Sequence, residues 1–230
     1  MSDSALDQEL LSIHDRMLAQ YGRQQWWPAD TPFEMMVGAV LTQATAWTNV
    51  ELAIGRLKEA NALSPAAIRD MEPDKLASLI YSSGFYNAKA QRLKALVEYL
   101  GDTYEDDIAA MRLEDDAKLR RELLAVRGIG EETADAILLY ALGKPSFVID
   151  AYTRRLFKRL GIVPESEGYS AYQRMFSDNL PCDAELFGEY HALIVEHCKV
   201  ACRTKPVCEG CCLLSVCPTG RAKTEAARCP

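Results

Sequence analysis

Two glycines separate consecutive helix-like segments near the middle of the chain. Leu123-Leu124-Ala125-Val126 is an apolar helix end that leads into Gly128-Ile129-Gly130, and a second helical segment begins at once. Glycine lets the backbone approach a ligand closely, and the start of a helix presents N–H groups that have no partner within the helix. Such a turn can bind phosphate without reading sequence. An ordinary helix–helix turn has the same pattern, so the hairpin alone predicts two helices and leaves its ligand open.

Helix start and stop signals recur along the rest of the chain. Ser64-Pro65 is a helix start, Asn87 is expected to cap a helix over 88–100 with Gly101 as its stop, and Gly161 follows a helical run over 151–160. Alternating strand patterns with hairpin turns are absent from the sequence. Apolar residues make up 49% and charged residues 26% of the chain, which is typical of globular proteins. The sequence therefore predicts an all-α fold.

Net charge gives no direct indication of a nucleic-acid partner. The chain has 26 Lys and Arg against 33 Asp and Glu, a formal net charge of −7. A local basic face can coexist with a negative total. No apolar run approaches the ~20 residues that cross a bilayer. The acidic first residues lack the apolar segment of a signal peptide. We therefore expect a cytoplasmic protein that does not contact a membrane.

The cysteines are concentrated at one end of the chain. All eight lie at or beyond Cys182, and five of them fall between Cys202 and Cys217. Disulfides would be spread through a secreted chain, so this clustering indicates metal ligation. Zinc is one possible metal, although zinc sites with four cysteines usually contain two closely spaced pairs. Free thiols are the remaining alternative.

The hairpin and an aspartate that follows it together resemble a known family. Twenty residues after Gly130 comes Phe147-Val148-Ile149-Asp150, which precedes a helical run. With this spacing the chain, from about residue 26 to 217, resembles the helix-hairpin-helix (HhH-GPD) superfamily of base-excision DNA glycosylases, in particular the endonuclease III family. The resemblance implies that Gly128, Ile129 and Gly130 bind the DNA backbone and that Asp150 is the catalytic carboxylate.

The chemistry of base excision gives Asp150 a plausible task. Breaking the bond between the base and C1′ builds positive charge on the sugar, which a fixed carboxylate stabilises directly or by orienting a water molecule. Asp150 also stands where a helix N-cap would, so a purely capping role is the alternative.

The resemblance also implies a domain organisation. A six-helix lobe is expected over 31–144, with the helix-hairpin-helix at about 120–143. A discontinuous second lobe is expected from 1–30 and 145–230, with an iron–sulfur loop at 202–217. This is the two-lobed, all-α endonuclease III-like fold.

One position departs from the bifunctional members of the family. These carry a lysine in a Gly-x-Gly-x-Lys-Thr-Ala pattern, whose amine forms a Schiff base with C1′ and permits strand cleavage. Here the sequence reads Gly128-Ile129-Gly130-Glu131-Glu132-Thr133-Ala134, with Glu132 at the lysine position and no lysine between Lys118 and Lys144. A carboxylate cannot form an imine. We therefore expect a monofunctional glycosylase that uses water as its nucleophile.

All three tryptophans lie near the N-terminal end of the sequence. Gln43-Ala44-Thr45 resembles endonuclease III, whose matching glutamine fills the space left by the extruded base. Trp26-Trp27-Pro28 and Trp47 are similar to the 3-methyladenine DNA glycosylases of the same scaffold. Indole faces attract cations by ~2 kcal/mol when desolvated, and alkylated purines carry positive charge. Trp26, Trp27, Gln43 and Trp47 are thus expected in base binding and intercalation, with packing in a core as the alternative for the tryptophans.

The cysteine spacing resembles the [4Fe–4S] loop of the same family. Cys202-x5-Cys208-x2-Cys211-x5-Cys217 implies four thiolate ligands for one cluster. The first interval is one residue shorter than usual in that loop, so Cys198 is the alternative first ligand. Cys182, Cys198, Cys212 and Cys229 would be spare thiols.

Basic residues gather near the cysteines and Asp150. The run 151–160 has four basic residues and no acid, and 198–230 has six against two. Arg154, Arg203 and Lys205 are therefore expected to contact DNA phosphates. A solvated basic face is the alternative. The three histidines show no metal spacing.

These features predict a monomeric base-excision glycosylase of the prokaryotic nucleoid that releases a damaged base, an alkylated purine of the 3-methyladenine type, from double-stranded DNA. One alternative is a bifunctional endonuclease III-like glycosylase and lyase acting on oxidised pyrimidines. A second is a catalytically silent DNA-damage-binding protein. Removal of mismatched adenine is a weaker hypothesis, because the family members that catalyse it carry an added C-terminal recognition domain.

Overall fold

The computed structural model describes residues 3–226 and is built from helices, with no β-strand among the described residues. Cys229 lies outside this range. A 3₁₀ turn spans Tyr81–Ser83, and a π turn spans Ile137–Ala141. No helix in the described part of the chain is both long and apolar enough to cross a membrane. The α-helices are α1 (Asp3–Tyr21), α2 (Pro32–Leu41), α3 (Trp47–Glu59), α4 (Pro65–Asp70), α5 (Pro73–Leu79), α6 (Tyr86–Tyr104), α7 (Ile108–Arg112), α8 (Asp116–Ala125), α9 (Glu131–Ala136), α10 (Ala151–Leu160), α11 (Tyr169–Ser177), α12 (Ala184–Val200) and α13 (Pro218–Ala226).

The chain divides into two compact units, and the first is discontinuous. It comprises Met1–Trp26 and Pro145–Pro230. Its core is aromatic: the rings of Phe147 and Phe176 stack at 3.9 Å, and Tyr190 packs edge-on against both. The buried hydroxyl of Tyr190 donates to the carbonyl of Leu10 at 2.7 Å. This bond joins α1 to α12 across 180 residues of sequence.

The second unit is the continuous segment Trp27–Lys144. Helix α2 lies at its centre, and every residue from Phe33 to Leu41 is buried. A helix that is apolar on all sides is stable only when other elements surround it. Its start is fixed by the Thr31 hydroxyl, which accepts from the N–H of Glu34, and by proline at the first helical position.

Helices α8 and α9 form the hairpin and are joined by an ion pair. Nε and Nη2 of Arg120 donate to the two carboxylate oxygens of Asp135 at 2.8 and 3.0 Å. Asp135 is completely buried. Paired hydrogen bonds of this kind fix the relative position of two helices as well as neutralising the charge.

Candidate active site

Asp150 is the N-cap of α10, so the capping interaction considered above is present. Its Oδ1 accepts hydrogen bonds from the N–H and the hydroxyl of Thr153, at 2.7 and 2.9 Å. Its Oδ2 lies 3.6 Å from Nε2 of His191, and 12% of the side chain is exposed. The cap occupies one oxygen only. The same carboxylate can therefore cap the helix and present Oδ2 to a developing positive charge.

Two opposing effects set the pKa of Asp150. Burial by itself raises the pKa, because it disfavours the charged form. The neighbouring His191 side chain and the two donors of Thr153 outweigh burial, and the pKa of Asp150 is lowered from its usual value. Asp150 is thus held as a carboxylate, the form that stabilises a cationic sugar.

His191 is a candidate site residue that the sequence did not reveal. It lies in the middle of α12, is buried, and its ring centre is 6.3 Å from that of Trp26. A cation also lies against Trp26, because Nζ of Lys199 stands 5.1 Å from the centre of the Trp26 ring. The first unit thus brings together Asp150, His191 and Trp26. No spacing rule could pair Asp150 with His191, since they lie on different helices 41 residues apart in sequence.

Gln43 is held against the hairpin within the second unit. Its Nε2 donates to the carbonyl of Gly128 at 3.1 Å and to Oγ1 of Thr133 at 2.9 Å. Its Oε1 accepts from Arg92. Gly128 has a φ of +85°, which favours glycine, and a Cβ there would clash with the Arg92 side chain. Ile129 is buried and anchors the turn, while Gly128 and Gly130 are exposed.

An exposed aromatic residue lies close to the turn at 41–45 that carries Gln43. The sequence did not identify it either. Phe85 precedes α6, has a φ of +45° and is 73% exposed. A bulky residue at positive φ is an outlier that the surrounding structure must hold in place. Thr45 provides one such contact, because its hydroxyl donates to the carbonyl of Ser83. An isolated phenylalanine gives no sequence signal of this kind.

Trp27 and Trp47 contact each other in the second unit, whereas Trp26 belongs to the first. The indole rings of Trp27 and Trp47 pack edge-to-face at 5.2 Å, and Tyr140 of the π turn lies 5.6 Å from Trp27. Gly38 permits this packing, because a Cβ there would lie 3.1 Å from Nε1 of Trp27. Both tryptophans keep part of their surface exposed. The result is a partly open aromatic cluster.

The four cysteines of the proposed loop line one cavity together with His197, whereas the lining does not include Cys198 or Cys212. This arrangement fits the spacing-based choice of Cys202, Cys208, Cys211 and Cys217 as ligands. No group of three or more His, Cys, Asp or Glu side chains in the described range is arranged to hold a single metal ion.

Two of these thiols are poised as thiolates. A hydrogen bond from Cys198, with a further one from Arg159, lowers the pKa of Cys202 to about 6. A hydrogen bond from Cys212, with one from His197, lowers the pKa of Cys211 to about 4. Thiolate is the form that ligates metals.

The arginines of the basic helix α10 make two different sets of contacts. Arg155 and Arg159 donate to main-chain carbonyls of the loop, among them that of Cys202 at 2.9 and 3.2 Å. Arg154 donates to the carbonyl of Glu167 at 2.6 Å and stacks 4.9 Å over Tyr172. Two of the four cations therefore brace the cysteine loop.

The predicted phosphate-binding residues of the loop are at the surface. Arg203 is exposed and donates to the carbonyl of Lys199 at 2.8 Å, and Lys205 is exposed as well. Glu132 is exposed at the second position of α9. A carboxylate therefore stands where the bifunctional pattern has its lysine.

The helical hairpin, the capping aspartate and the cysteine loop define a class of DNA repair protein. The chain belongs to the HhH-GPD superfamily of base excision DNA repair proteins, whose family model matches residues 37–182. The family and the all-α, endonuclease III-like fold predicted from the sequence are confirmed.

Two related proteins are similar to this chain over most of its length. A Methanocaldococcus jannaschii protein, provisionally named a DNA repair glycosylase, is 47% identical over 209 residues, which cover 90% of this chain and 95% of the relative. Endonuclease III of Thermotoga maritima is 30% identical over 195 residues, 81% of this chain and 82% of the relative.

Two solved structures are also similar. One is a non-covalent endonuclease III–DNA complex, with a TM-score of 0.81 at 23% identity over 95% of this chain and 98% of the other, a likeness of fold. The other is H. pylori 3-methyladenine DNA glycosylase bound to 1,N6-ethenoadenine, with a TM-score of 0.72 at 31% identity over 86% of this chain and 98% of the other.

Proposed function

We propose that this protein is a monofunctional DNA glycosylase that releases an alkylated purine from double-stranded DNA. The observation that carries the proposal is Asp150, a carboxylate held ionised, with one oxygen fixed by Thr153 and the other directed towards His191 at 3.6 Å. Membership of a base-excision repair superfamily supports the same conclusion.

In the proposed reaction Asp150 stabilises positive charge on the sugar as the bond to the base breaks. Its fixed position means that little reorganisation is needed as the charge develops. The neighbouring His191 favours the ionised form of the Asp150 carboxylate. Water then adds to C1′ and leaves an abasic site.

The residue at the position of the family lysine supports the monofunctional assignment. Glu132 stands at the position of the family lysine. The two flanking lysines are engaged in ion pairs: Lys118 with Glu114 at 2.6 Å and Lys144 with Asp116 at 2.8 Å. An imine requires a free, uncharged amine that can reach C1′.

The aromatic residues support an alkylated purine as substrate. Such a base carries positive charge and already leaves easily, so its recognition matters more than strong acid catalysis. Trp26 is shown to accept a cation on its face, since Lys199 stands there. Trp27 and Trp47 offer further indole surface. The ligand of the H. pylori relative, 1,N6-ethenoadenine, is also a modified adenine.

The remaining roles follow from the arrangement of each unit. Gly128 and Gly130 would approach the DNA backbone, with Arg154, Arg203 and Lys205 adding phosphate contacts. Gln43 would fill the space of the extruded base. A [4Fe–4S] cluster would be held by Cys202, Cys208, Cys211 and Cys217 and would stiffen the loop that carries Arg203 and Lys205.

The proposal is tested by incubating the protein with DNA treated with dimethyl sulfate and with oxidised DNA, and resolving free base from nicked strand. We expect release of 3-methyladenine without nicking. Borohydride added during the reaction is expected to trap no covalent adduct. A trapped adduct with release of oxidised pyrimidine would establish the bifunctional alternative. Binding to damaged DNA without any release would establish the silent alternative.

A further inference from the structure

Lys89 is a completely buried lysine in the first turn of α6. Its exposed fraction is 0%, and it makes no ion pair among the described residues. Burying a charged amine without a counter-ion is costly, and such groups are kept where hydrogen bonds and a specific task retain them. The base-excision chemistry proposed above does not use this amine, so its burial requires another reason.

The three acceptors of Lys89 lie on two separate turns. Nζ donates to the carbonyl of Leu41 at 2.8 Å and to Oγ1 of Thr45 at 2.8 Å, on either side of Gln43. It also donates to the carbonyl of Ser83 at 2.6 Å. The Thr45 hydroxyl in turn donates to that same Ser83 carbonyl. One amine and one hydroxyl thus join the turn at 41–45 to the turn at 83–85.

Each of these turns presents one side chain suited to enter a duplex. The first carries Gln43, whose amide is oriented by Gly128, Thr133 and Arg92. The second ends in Phe85, which is 73% exposed at positive φ. Exposed apolar side chains that wedge between base steps unstack them. The separation of the two side chains therefore depends on what joins their turns.

We propose that Lys89 is a positioning residue that locks the Gln43 turn to the Phe85 turn, so that the two side chains enter damaged DNA together. This inference rests on the proposed function in assuming that the protein extrudes a base from a duplex. Lys89 does not touch the substrate, because it is sealed beneath both turns. The same sealing excludes it as an amine nucleophile.

The test compares paired with unpaired DNA. Lys89→Met keeps the length of the side chain and removes all three donors. Base release is measured on a dimethyl-sulfate-treated oligonucleotide, either single-stranded or annealed to its complement without heating. Unpaired DNA needs no insertion, so the variant is expected to lose about tenfold or more on annealed DNA and to stay close to wild type on single-stranded DNA. Equal loss on both substrates, or no loss on either, would overturn the proposal.

A second pair of variants covers the case in which Lys89→Met fails to fold, as judged by thermal melting. Thr45→Val removes the bridging hydroxyl, and Thr45→Ser retains it as the matched control. We expect Thr45→Val to lose release selectively on annealed DNA and Thr45→Ser to behave as wild type. Indistinguishable behaviour of the two variants would contradict the proposal.

A binding measurement separates this proposal from the proposed function. A duplex with 2-aminopurine beside an abasic-site analogue gains fluorescence when the base is unstacked. The wild type is expected to raise this fluorescence, and Lys89→Met to raise it much less. If the wild type releases no alkylated base, the proposed function fails, while this fluorescence difference still decides the role of Lys89.

Discussion

Asp150 caps α10 and is proposed to act in catalysis, and an asparagine substitution can separate the two roles. Asn caps a helix about as well as Asp, whereas Ala does not. We expect Asp150→Asn to reduce base release at least about 100-fold because the negative charge is lost, with stability near that of the wild type. Asp150→Ala should lose activity and, in addition, about 0.5–2 kcal/mol of stability. Release kinetics and urea unfolding check both expectations. A fully active Asp150→Asn would contradict the catalytic role.

The buried Lys89 amine is expected to make the free energy of unfolding depend on pH, and the sign of this dependence follows from the pKa shift of Lys89. Burial, helped by the charge of Arg92, lowers the pKa of Lys89 from 10.5 to about 8. Below pH 8 the amine is protonated in both folded and unfolded chains, and its burial cost is fully present. As the pH rises from about 8 towards 10.5, the folded chain gives up a proton that the unfolded chain keeps, so folding becomes more favourable.

The comparison with Lys89→Met isolates this contribution. The difference in unfolding free energy between wild type and variant is expected to move in favour of the wild type from pH 7.5 to pH 9.5. Urea unfolding at the two values measures it. The deprotonated amine has fewer donors for its three acceptors, so release from annealed DNA is expected to fall over the same range. A pH-independent difference in stability would show that this amine does not titrate there.

At the scale of an element, the two glycines of the hairpin have different surroundings and are expected to respond differently to substitution. An alanine at 128 would stand at positive φ and against Arg92, whereas a Cβ at 130 meets nothing within 4 Å. We expect Gly128→Ala to lose about 1–2 kcal/mol or more of stability. Gly130→Ala should lose less stability. If the hairpin binds the DNA backbone as proposed, the variant should still bind DNA more weakly, because the added methyl group would stand in the way of a phosphate. Thermal melting and a binding titration compare the two. Equal stability of both variants would contradict this division.

The helix boundaries show where sequence patterns stop being informative. The expected stop at Gly101 is wrong, because α6 continues to Tyr104. Gly101 instead makes room for Arg69, whose guanidinium would lie 2.6 Å from a Cβ there as it reaches Asp106. Asn87 is not the cap either, since α6 begins at Tyr86 after Phe85 at positive φ. The sequence alone does not show whether a glycine ends a helix or makes room for a neighbouring side chain.

The sequence could indicate candidate site residues where a motif has a fixed spacing, and not where a contact depends on tertiary structure. The hairpin and Asp150 lie at a fixed spacing, and so do the four cysteines. His191, Arg92 and Lys89 contact Asp150, Gln43 and Leu41 respectively, each at least 41 positions away in sequence. Their partners are set by packing, and a buried lysine or histidine has no local pattern that distinguishes it from a surface one.

At the scale of the whole molecule, the cysteine loop can be tested by cluster assembly. Cys208→Ser is expected to lose most of the visible absorption near 400 nm and the bound iron, because one of four ligands is removed. Cys182→Ser is the matched control, since Cys182 is exposed and absent from the cavity lining. Iron analysis of the two purified variants decides the matter. Equal iron in both would contradict the proposed ligand set.

The discontinuous unit also governs the order in which the protein can be made. Leu10 leaves the ribosome 180 residues before Tyr190, its hydrogen-bond partner. At 5–20 residues per second that interval is roughly 9–36 s. During translation the continuous unit can complete its own core, while the apolar face of α1 waits without its partner. The packing of α1 against α12 can therefore form only after most of the chain has been synthesised.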